Sequence, residues 1–108
     1  MLEKEIEKIL VAEIARVGGR AYKFVSPGND GVPDRVVCLP NGKTYFVELK
    51  TTSGKLTNLQ KVQIERLRDL GQKVFVLKGL DGVAEFFRMF GRDDIAGRLK
   101  KRAERVSK

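Results

Sequence analysis

The segment from Thr44 to Lys50 constrains the fold of this chain more than any other. Residues two apart in a strand point to the same face, and this segment carries apolar side chains on both faces, as interior strands do. Glu48 and Lys50 share the face of Phe46, near the carboxyl end of the strand. Charges in such a place must be paired or bound to a metal ion, because burying them alone is costly. The segment therefore predicts the middle of a sheet with a charged site at its edge.

The remaining segments predict helices on both sides of a small sheet. Apolar spacing predicts helices over 2–17, 57–70 and 81–90, and strands over 21–25, 35–39, 44–50 and 73–78. Asn41-Gly42 predicts an antiparallel hairpin between the second and third strands. The helical crossover that follows predicts a fourth strand parallel to the third. The predicted fold class is α/β, a mixed sheet flanked by helices in the order αβββαβ with further helices after it.

The helix boundaries rest on capping residues. Thr57, with Gln60 three positions later, has the spacing of a capping box, and Asp81 is the predicted cap of the third helix. From residue 92 to residue 108 the chain holds seven Lys or Arg against three Asp or Glu. We therefore predict one domain over 1–91 and a basic, helical tail over 92–108.

Composition excludes several kinds of chemistry. The chain has no histidine and one cysteine, Cys38, so it cannot form a Ser-His-Asp or Cys-His nucleophile or a histidine zinc site. We expect Cys38 to be an inert core residue. The net charge of +8 favours a polyanionic partner such as nucleic acid. No apolar run approaches the roughly 20 residues that cross a bilayer, and no signal peptide is recognisable, so we expect a cytoplasmic protein without a membrane partner.

Asp34 is predicted to complete the charged site. It follows a Gly-Val-Pro turn and begins the second strand, so the hairpin should place it opposite Glu48 or Lys50. Two adjacent carboxylates repel each other, and a divalent cation relieves that repulsion. Oxygen ligands favour Mg²⁺ or Mn²⁺ over zinc. The alternatives are a plain salt bridge at a strand end for Glu48 and Lys50, and a turn-forming role for Asp34.

The spacing of these residues resembles a known nuclease signature. Pro33-Asp34, followed after thirteen residues by Glu48-Leu49-Lys50, is similar to the PD…ExK motif of the restriction-endonuclease-like nucleases. The surrounding residues (Lys23 to Gly28, Gly31 to Arg35, Tyr45 to Lys50, Gly54-Lys55-Leu56 and Gln60) resemble the VRR-NUC family, the virus-type replication-repair nucleases. The resemblance extends from Glu3 to about Leu77 and is strongest to the stand-alone phage and prophage members. It does not include the tail.

The resemblance implies a role for each matching residue. Asp34, Glu48 and the backbone carbonyl of Leu49 would bind the metal, Lys50 would hold the attacking water, and Gln60 would line the site. A helix carboxylate would also help to hold the metal or its waters; Glu3 and Glu7 both fit, and Glu7 is preferred. The basic residues expected to contact DNA phosphates are Lys23, Arg35, Lys43, Lys55 and Lys61. Arg20, Lys73 and the tail cluster (Arg98, Lys100, Lys101, Arg102 and Arg105) could extend those contacts.

The function that the resemblance implies is metal-dependent DNA cleavage. The expected enzyme is a homodimeric endonuclease that hydrolyses phosphodiester bonds, prefers branched DNA such as four-way junctions, and acts in a bacterial host cell or is encoded by a phage. The sequence does not identify the dimer surface, and the candidate contributors are the face of Val83, Phe86, Phe87 and Phe90 and the tail helix. The alternatives are a catalytically inactive DNA-binding module of the same fold, a sequence-specific restriction endonuclease, and an unrelated basic structural protein.

Overall fold

A computed structural model describes residues 1–106, and in it four strands form one sheet with helices on both faces. In chain order the elements are α1 (Glu3–Arg16), β1 (Arg20–Lys23), β2 (Arg35–Cys38), β3 (Thr44–Lys50), α2 (Asn58–Asp69), β4 (Val74–Lys78), α3 (Gly79–Met89) and α4 (Asp93–Val106). No helix within these residues is long and apolar enough to cross a membrane.

The sheet has the order β1-β2-β3-β4 and is mixed. Its first three strands are antiparallel neighbours, whereas β4 lies parallel to β3 after the α2 crossover. The β2–β3 hairpin turns at Asn41-Gly42, where Gly42 has a φ of 84° and the Asn41 side chain accepts a hydrogen bond from the Lys43 amide. The predicted α/β fold with its mixed sheet is therefore confirmed.

The two faces of the sheet differ in what covers them. Helices α1, α3 and α4 cover one face, where Val47 and Leu49 of β3 are fully buried with Val37 of β2. Helix α2 covers the other face, and its buried residue Ile64 is separate from that main core. Phe46 lies on this second face and packs against Phe24, with the ring centroids 5.5 Å apart. The hydrophobic core is thus mainly on one side of the sheet, and Glu48 and Lys50 project toward the other side.

The third helix begins earlier than Asp81 predicts. Its N-cap is Lys78, so Asp81 lies inside the first turn and the prediction that it caps the helix was wrong. The chain passes from β4 into α3 with no loop between them, because Gly79 has a φ of 64° and makes the bend by itself. An acidic residue in the first turn still interacts favourably with the helix dipole, which explains the misleading signal.

The aromatic face of α3 is buried inside the molecule. Val83, Phe86 and Phe87 are at most 1% exposed, and the Phe86 ring meets the rings of Tyr45 and Phe75 edge to face. The prediction that these residues form a dimer surface was therefore wrong, because the sheet and α4 already cover them. Cys38 is only partly buried and is a strand residue outside the core, against expectation.

The basic tail is a helix that shares the core of the domain. Helix α4 contributes Ile95, Ala96 and Leu99, all nearly inaccessible to solvent. Arg98 donates a 2.6 Å hydrogen bond to the buried carboxylate of Glu13 in α1. These contacts join residues 93–106 to the body of the protein. Residues 107 and 108 of the predicted tail lie outside the described residues.

Candidate active site

The β2–β3 hairpin places the two acidic residues of the motif side by side. Arg35 pairs with Val47 in the antiparallel register, so Asp34, one residue earlier, lies across from Glu48. The Asp34 carboxylate accepts a 2.8 Å hydrogen bond from the Leu49 amide, which fixes it at the end of β3. The predicted convergence of the two acids at one edge of the sheet is present.

Glu48 is a buried carboxylate with one satisfied and one unsatisfied oxygen. Its side chain is 1% exposed. Oε2 accepts a 3.1 Å hydrogen bond from the Gln60 amide and lies 3.4 Å from the Lys50 ammonium. Oε1 is buried and has no hydrogen-bond partner among residues 1–106. Because a buried acceptor without a partner is costly, Oε1 is the atom at which an additional ligand is expected.

Burial changes the acidity of both carboxyl groups. It raises the pKa of Glu48 to about 7, with the negative charge of Asp34 adding to the effect and Lys50 opposing it. Burial also raises the pKa of Asp34, and the Leu49 hydrogen bond partly offsets that rise. Two adjacent carboxyl groups with raised pKa values are typical of a cation-binding site, because a bound cation favours their ionised forms.

Gln60 links the site to the start of α2. Its Oε1 accepts a hydrogen bond from the Thr57 amide at 2.9 Å, and the Thr57 hydroxyl accepts one from the Gln60 amide at 3.1 Å. This capping box, predicted from the sequence, leaves the Gln60 NH₂ group to donate to Glu48. Gln60 therefore caps α2 and orients the Glu48 carboxylate at the same time.

The loop before Asp34 rests directly on this part of α2. Gly31 has a φ of 91°, and a Cβ atom there would lie 2.6 Å from the Leu59 carbonyl carbon. Only glycine permits so close an approach of the two backbones. The loop that carries Asp34 and the helix turn that carries Gln60 are thereby held together.

Both candidate glutamates of α1 lie close enough to the site for their charges to act on its two carboxyl groups. The charge of Glu3 raises the pKa of Glu48, whereas the charge of Glu7 raises the pKa of Asp34. Glu3 is exposed. Glu7 is held in ion pairs by Arg35 at 2.8 Å and Lys23 at 3.4 Å. The preference for Glu7 over Glu3 stays a prediction.

The predicted phosphate-binding residues do not all lie near the site. Lys23 and Arg35 face each other across β1 and β2, next to Asp34. Lys55 and Lys61 are exposed, before and within the first part of α2. Lys43 lies on the hairpin turn at the opposite end of β3, so the structure does not bring it to the site. Lys43 and Lys50 are seven positions apart along the extended chain, a distance on the order of 20 Å.

The donor atoms fit a divalent cation that prefers oxygen. Asp34 Oδ2 is bonded to Leu49 and Glu48 Oε2 to Gln60, whereas Glu48 Oε1 has no hydrogen-bond partner within residues 1–106. The Leu49 carbonyl points to the same side of the strand as its amide, and so toward Asp34. Among residues 1–106 no three ligating side chains form a cluster, so water or substrate oxygens would complete the coordination. Mg²⁺ usually retains several waters in such sites.

Sequence reasoning missed two features of the site. One is the ion pair of Glu7 with Arg35, because residues 28 positions apart carry no local signal of contact. The other is the close approach of the Gly31 backbone to Leu59 in α2, which joins the loop before Asp34 to the helix that carries Gln60. The glycine at position 31, followed by Val-Pro-Asp, was a visible sign of the second feature.

Comparisons with known proteins show which family the sequence and the fold resemble. The VRR-NUC domain family matches residues 2–81. The protein named "Putative nuclease p44" of Acyrthosiphon pisum secondary endosymbiont phage 1 is 54% identical over 79 residues, which cover 73% of this chain and 85% of that protein. A solved structure described as a VRR_NUC domain is 31% identical and superimposes with a TM-score of 0.75 over 80% of this chain and 94% of its own. The chain belongs to the VRR-NUC family of nuclease domains.

Proposed function

We propose that this chain is a DNA endonuclease that requires Mg²⁺ or Mn²⁺ and hydrolyses phosphodiester bonds. The observation that carries the proposal is the pair of adjacent carboxylates, Glu48 buried and Asp34 partly buried, with Glu48 Oε1 unpartnered within residues 1–106. Desolvation and mutual repulsion are tolerated in a protein when a cation compensates for them. The net charge of +8 suits a polyanionic substrate.

The residues of the site divide the chemistry among them. Asp34, Glu48 and the Leu49 carbonyl would hold the cation, with Glu3 or Glu7 contacting it or its waters. A bound cation of this kind polarises the scissile phosphate and makes a coordinated water more acidic. Lys50 is nearly buried and its ammonium lies 3.4 Å from Glu48, where it can orient the attacking water and stabilise the developing negative charge. Gln60 keeps the Glu48 carboxylate in place.

The flanking basic residues would hold the substrate backbone. Lys23 is exposed and pairs with Arg35 next to Asp34, and Lys55 and Lys61 are exposed before and within the first part of α2. Such contacts position DNA without reading its sequence. This suits an enzyme that recognises DNA shape, and we extend the proposal to a preference for branched DNA such as four-way junctions.

The proposal includes a homodimer, because two sites related by a twofold axis match a twofold-symmetric junction. The α3 face is excluded as the contact. The open edge of β4, beside the 64% exposed Met89, remains available. A mass in solution of about twice 12.2 kDa would support the dimer, and a monomer at the concentrations that cleave DNA would contradict it.

The decisive experiment compares the wild type with Glu48→Gln on labelled linear duplex, single strand, flap and four-way junction. Mg²⁺, Mn²⁺ and EDTA are tested in parallel, and Glu65→Gln, an exposed residue of α2, serves as the matched control. We expect metal-dependent cleavage that Glu48→Gln abolishes and Glu65→Gln retains. Calorimetric titration with Mn²⁺ should show binding to the wild type and to Glu65→Gln only.

Three results would overturn parts of the proposal. Cleavage in EDTA, or an active Glu48→Gln, would contradict the metal mechanism. Equal rates on linear duplex and on junctions would remove the preference for branched DNA. Tight DNA binding without cleavage of any substrate would favour the inactive DNA-binding module of the same fold.

A further inference from the structure

Helix α4 carries a basic stripe on its surface. The stripe consists of residues 98, 101, 102 and 105, which share one side of the helix because they are spaced three and four apart. Arg98 is tied to Glu13. The other three members, Lys101, Arg102 and Arg105, are exposed and form no ion pair within residues 1–106. Three free cations on one side of a helix repel one another and so destabilise it. A cluster of this kind is therefore a candidate binding surface for an anionic partner.

The position of α4 brings these cations to the catalytic end of the molecule. Arg98 lies beside Glu13, near the end of α1, whereas Ala103 and Val106 border the same cavity as Met1 and Ile6, near its beginning. The two helices therefore run antiparallel. The same cavity is lined by Thr52, two residues after Lys50, and by Gly79, directly after β4. The carboxyl end of α4 thus adjoins the edge of the sheet at which the catalytic residues lie.

We propose that Lys101, Arg102 and Arg105 form a second phosphate-binding surface, which contacts the backbone of the same DNA beyond the scissile bond. The proposal rests on the nuclease function proposed above. Helix α4 lies outside residues 2–81, the part that matches the family, so this surface does not belong to the matched domain. Because the surface adjoins the end of the sheet and not the carboxylates, it acts on affinity and leaves the chemical step unchanged.

The alternative partners of such a surface are less consistent with its surroundings. A membrane-binding helix would need an exposed apolar side, but the apolar side of α4 packs into the core through Ile95, Ala96 and Leu99. Within α4, Val106 is the only large apolar residue that is exposed, at 48%. Three exposed cations with so little apolar surface beside them are characteristic of contacts to phosphates, which act through charge and counterion release.

The test measures DNA binding in EDTA, so that no cleavage intervenes. The variant is Lys101→Gln/Arg102→Gln/Arg105→Gln. The matched control is Arg20→Gln/Arg66→Gln/Lys73→Gln, which removes the same charge from exposed positions at the opposite end of the sheet. Arg20 and Lys73 were expected to extend the phosphate contacts, but the strand register places both at the end of the sheet away from the carboxylates, so they suit a control. Because the molecule is 38 Å long, about 11 base pairs of roughly 3.4 Å each span it. Two ligands are compared, a hairpin-closed stem of about six base pairs and a duplex of about twenty.

We expect the stripe variant to bind the long duplex at least about tenfold more weakly at roughly 0.1 M salt, with a salt slope lower by about two to three. Its affinity for the short stem should change less than threefold, and the control should change by similar small factors on both ligands. Equal losses for the stripe variant and the control, or equal losses on both ligands, would mean that only the net charge of the protein affects DNA binding. Either result would overturn the proposal.

The outcomes also separate this inference from the proposed function. If the wild type binds DNA without cutting it, loss of long-duplex affinity in the stripe variant still supports the surface. If the wild type cuts DNA and the stripe variant binds the long duplex normally, the surface is refuted and the nuclease stands. With saturating DNA and Mg²⁺, the single-turnover rate of the stripe variant should match that of the wild type. Unfolding temperatures of both variants check that α4 remains folded.

Discussion

At the scale of single residues, Glu48 is a buried carboxylate whose ionisation is energetically unfavourable in the folded chain. One of its oxygens is held by Gln60 and Lys50, and the other is buried without a partner. A carboxylate in that state destabilises the folded chain whenever it is ionised. The energetic strain and the proposed catalytic role thus arise from the same atom.

This unfavourable ionisation predicts a dependence of stability on pH in the absence of metal. The pKa of Glu48 is raised from 4.5 to about 7, so between these values the folded chain binds more protons than the unfolded one and stability falls as pH rises. The difference of about 2.5 pKa units corresponds to on the order of 3 kcal/mol. Thermal unfolding in EDTA should show the wild type losing stability relative to Glu48→Gln from about pH 5 to about pH 8.

Addition of Mg²⁺ or Mn²⁺ should reverse that loss for the wild type alone, because the cation stabilises the ionised carboxylate. A stability difference between the wild type and Glu48→Gln that does not change with pH would contradict the assignment of the raised pKa to Glu48.

At the scale of elements, the site depends on contacts between segments that are separate in the sequence. The loop before β2 and the first turn of α2 meet at Gly31, and the capping box of α2 then positions Gln60. Neither segment holds its site residue in place alone. The loop therefore acts on the site in two ways, because it positions Asp34 and its backbone packs against α2.

We predict that Gly31→Ala damages the site more than Gly28→Ala. Both glycines have positive φ and belong to one loop, but a Cβ at position 31 would lie 2.6 Å from Leu59, whereas nothing lies within 4 Å of one at position 28. The strained backbone costs each variant about 1 kcal/mol, and only Gly31→Ala must also separate the loop from α2. Chemical denaturation and Mn²⁺ titration should show an additional loss of about 1–3 kcal/mol and weaker metal binding for Gly31→Ala alone.

Equal unfolding free energies and equal Mn²⁺ affinities for the two variants would show that the contact at Gly31 has no role in the site.

The elements also show how far the sequence could be interpreted. Strong local signals gave correct results: Asn41-Gly42 predicted the hairpin, and the hairpin register then placed Asp34 opposite Glu48. The prediction failed at Asp81, where an acidic residue resembles a helix cap. Helix α3 instead begins two residues earlier, at Gly79, whose positive φ makes the bend. Burial of α3 could not be foreseen, because an apolar helix face looks the same whether it meets another chain or its own sheet.

At the scale of the whole molecule, α1 and α4 are joined by a buried charge. Glu13 is 3% exposed and contacts Arg16 at 3.2 Å and Arg98 at 2.6 Å. Residues 85 positions apart give no sequence signal of such a pair. The pair fixes α4 along α1 and so determines where the basic stripe ends.

We predict that Arg98→Met destabilises the protein more than Lys100→Met. Arg98 neutralises a buried carboxylate, whereas Lys100 pairs with the half-exposed Glu85. The first change should cost about 1–3 kcal/mol, less than the loss of a fully buried partner because Arg16 remains, and the second should cost clearly less than the first because its pair is screened by solvent. Urea denaturation measures both. Equal costs would mean that the Glu13 pair contributes no more than a surface salt bridge.

The register of the β2–β3 hairpin has a consequence for the spacing of the catalytic motif. Asp34 lies opposite Glu48 because of strand pairing, and the thirteen residues between them only record the length of the hairpin. A hairpin extended at its turn by one residue on each strand would leave the acids opposed, whereas a one-residue slip would turn one acid to the other face. Relatives of this chain can therefore differ in that spacing by even numbers of residues without any change in chemistry.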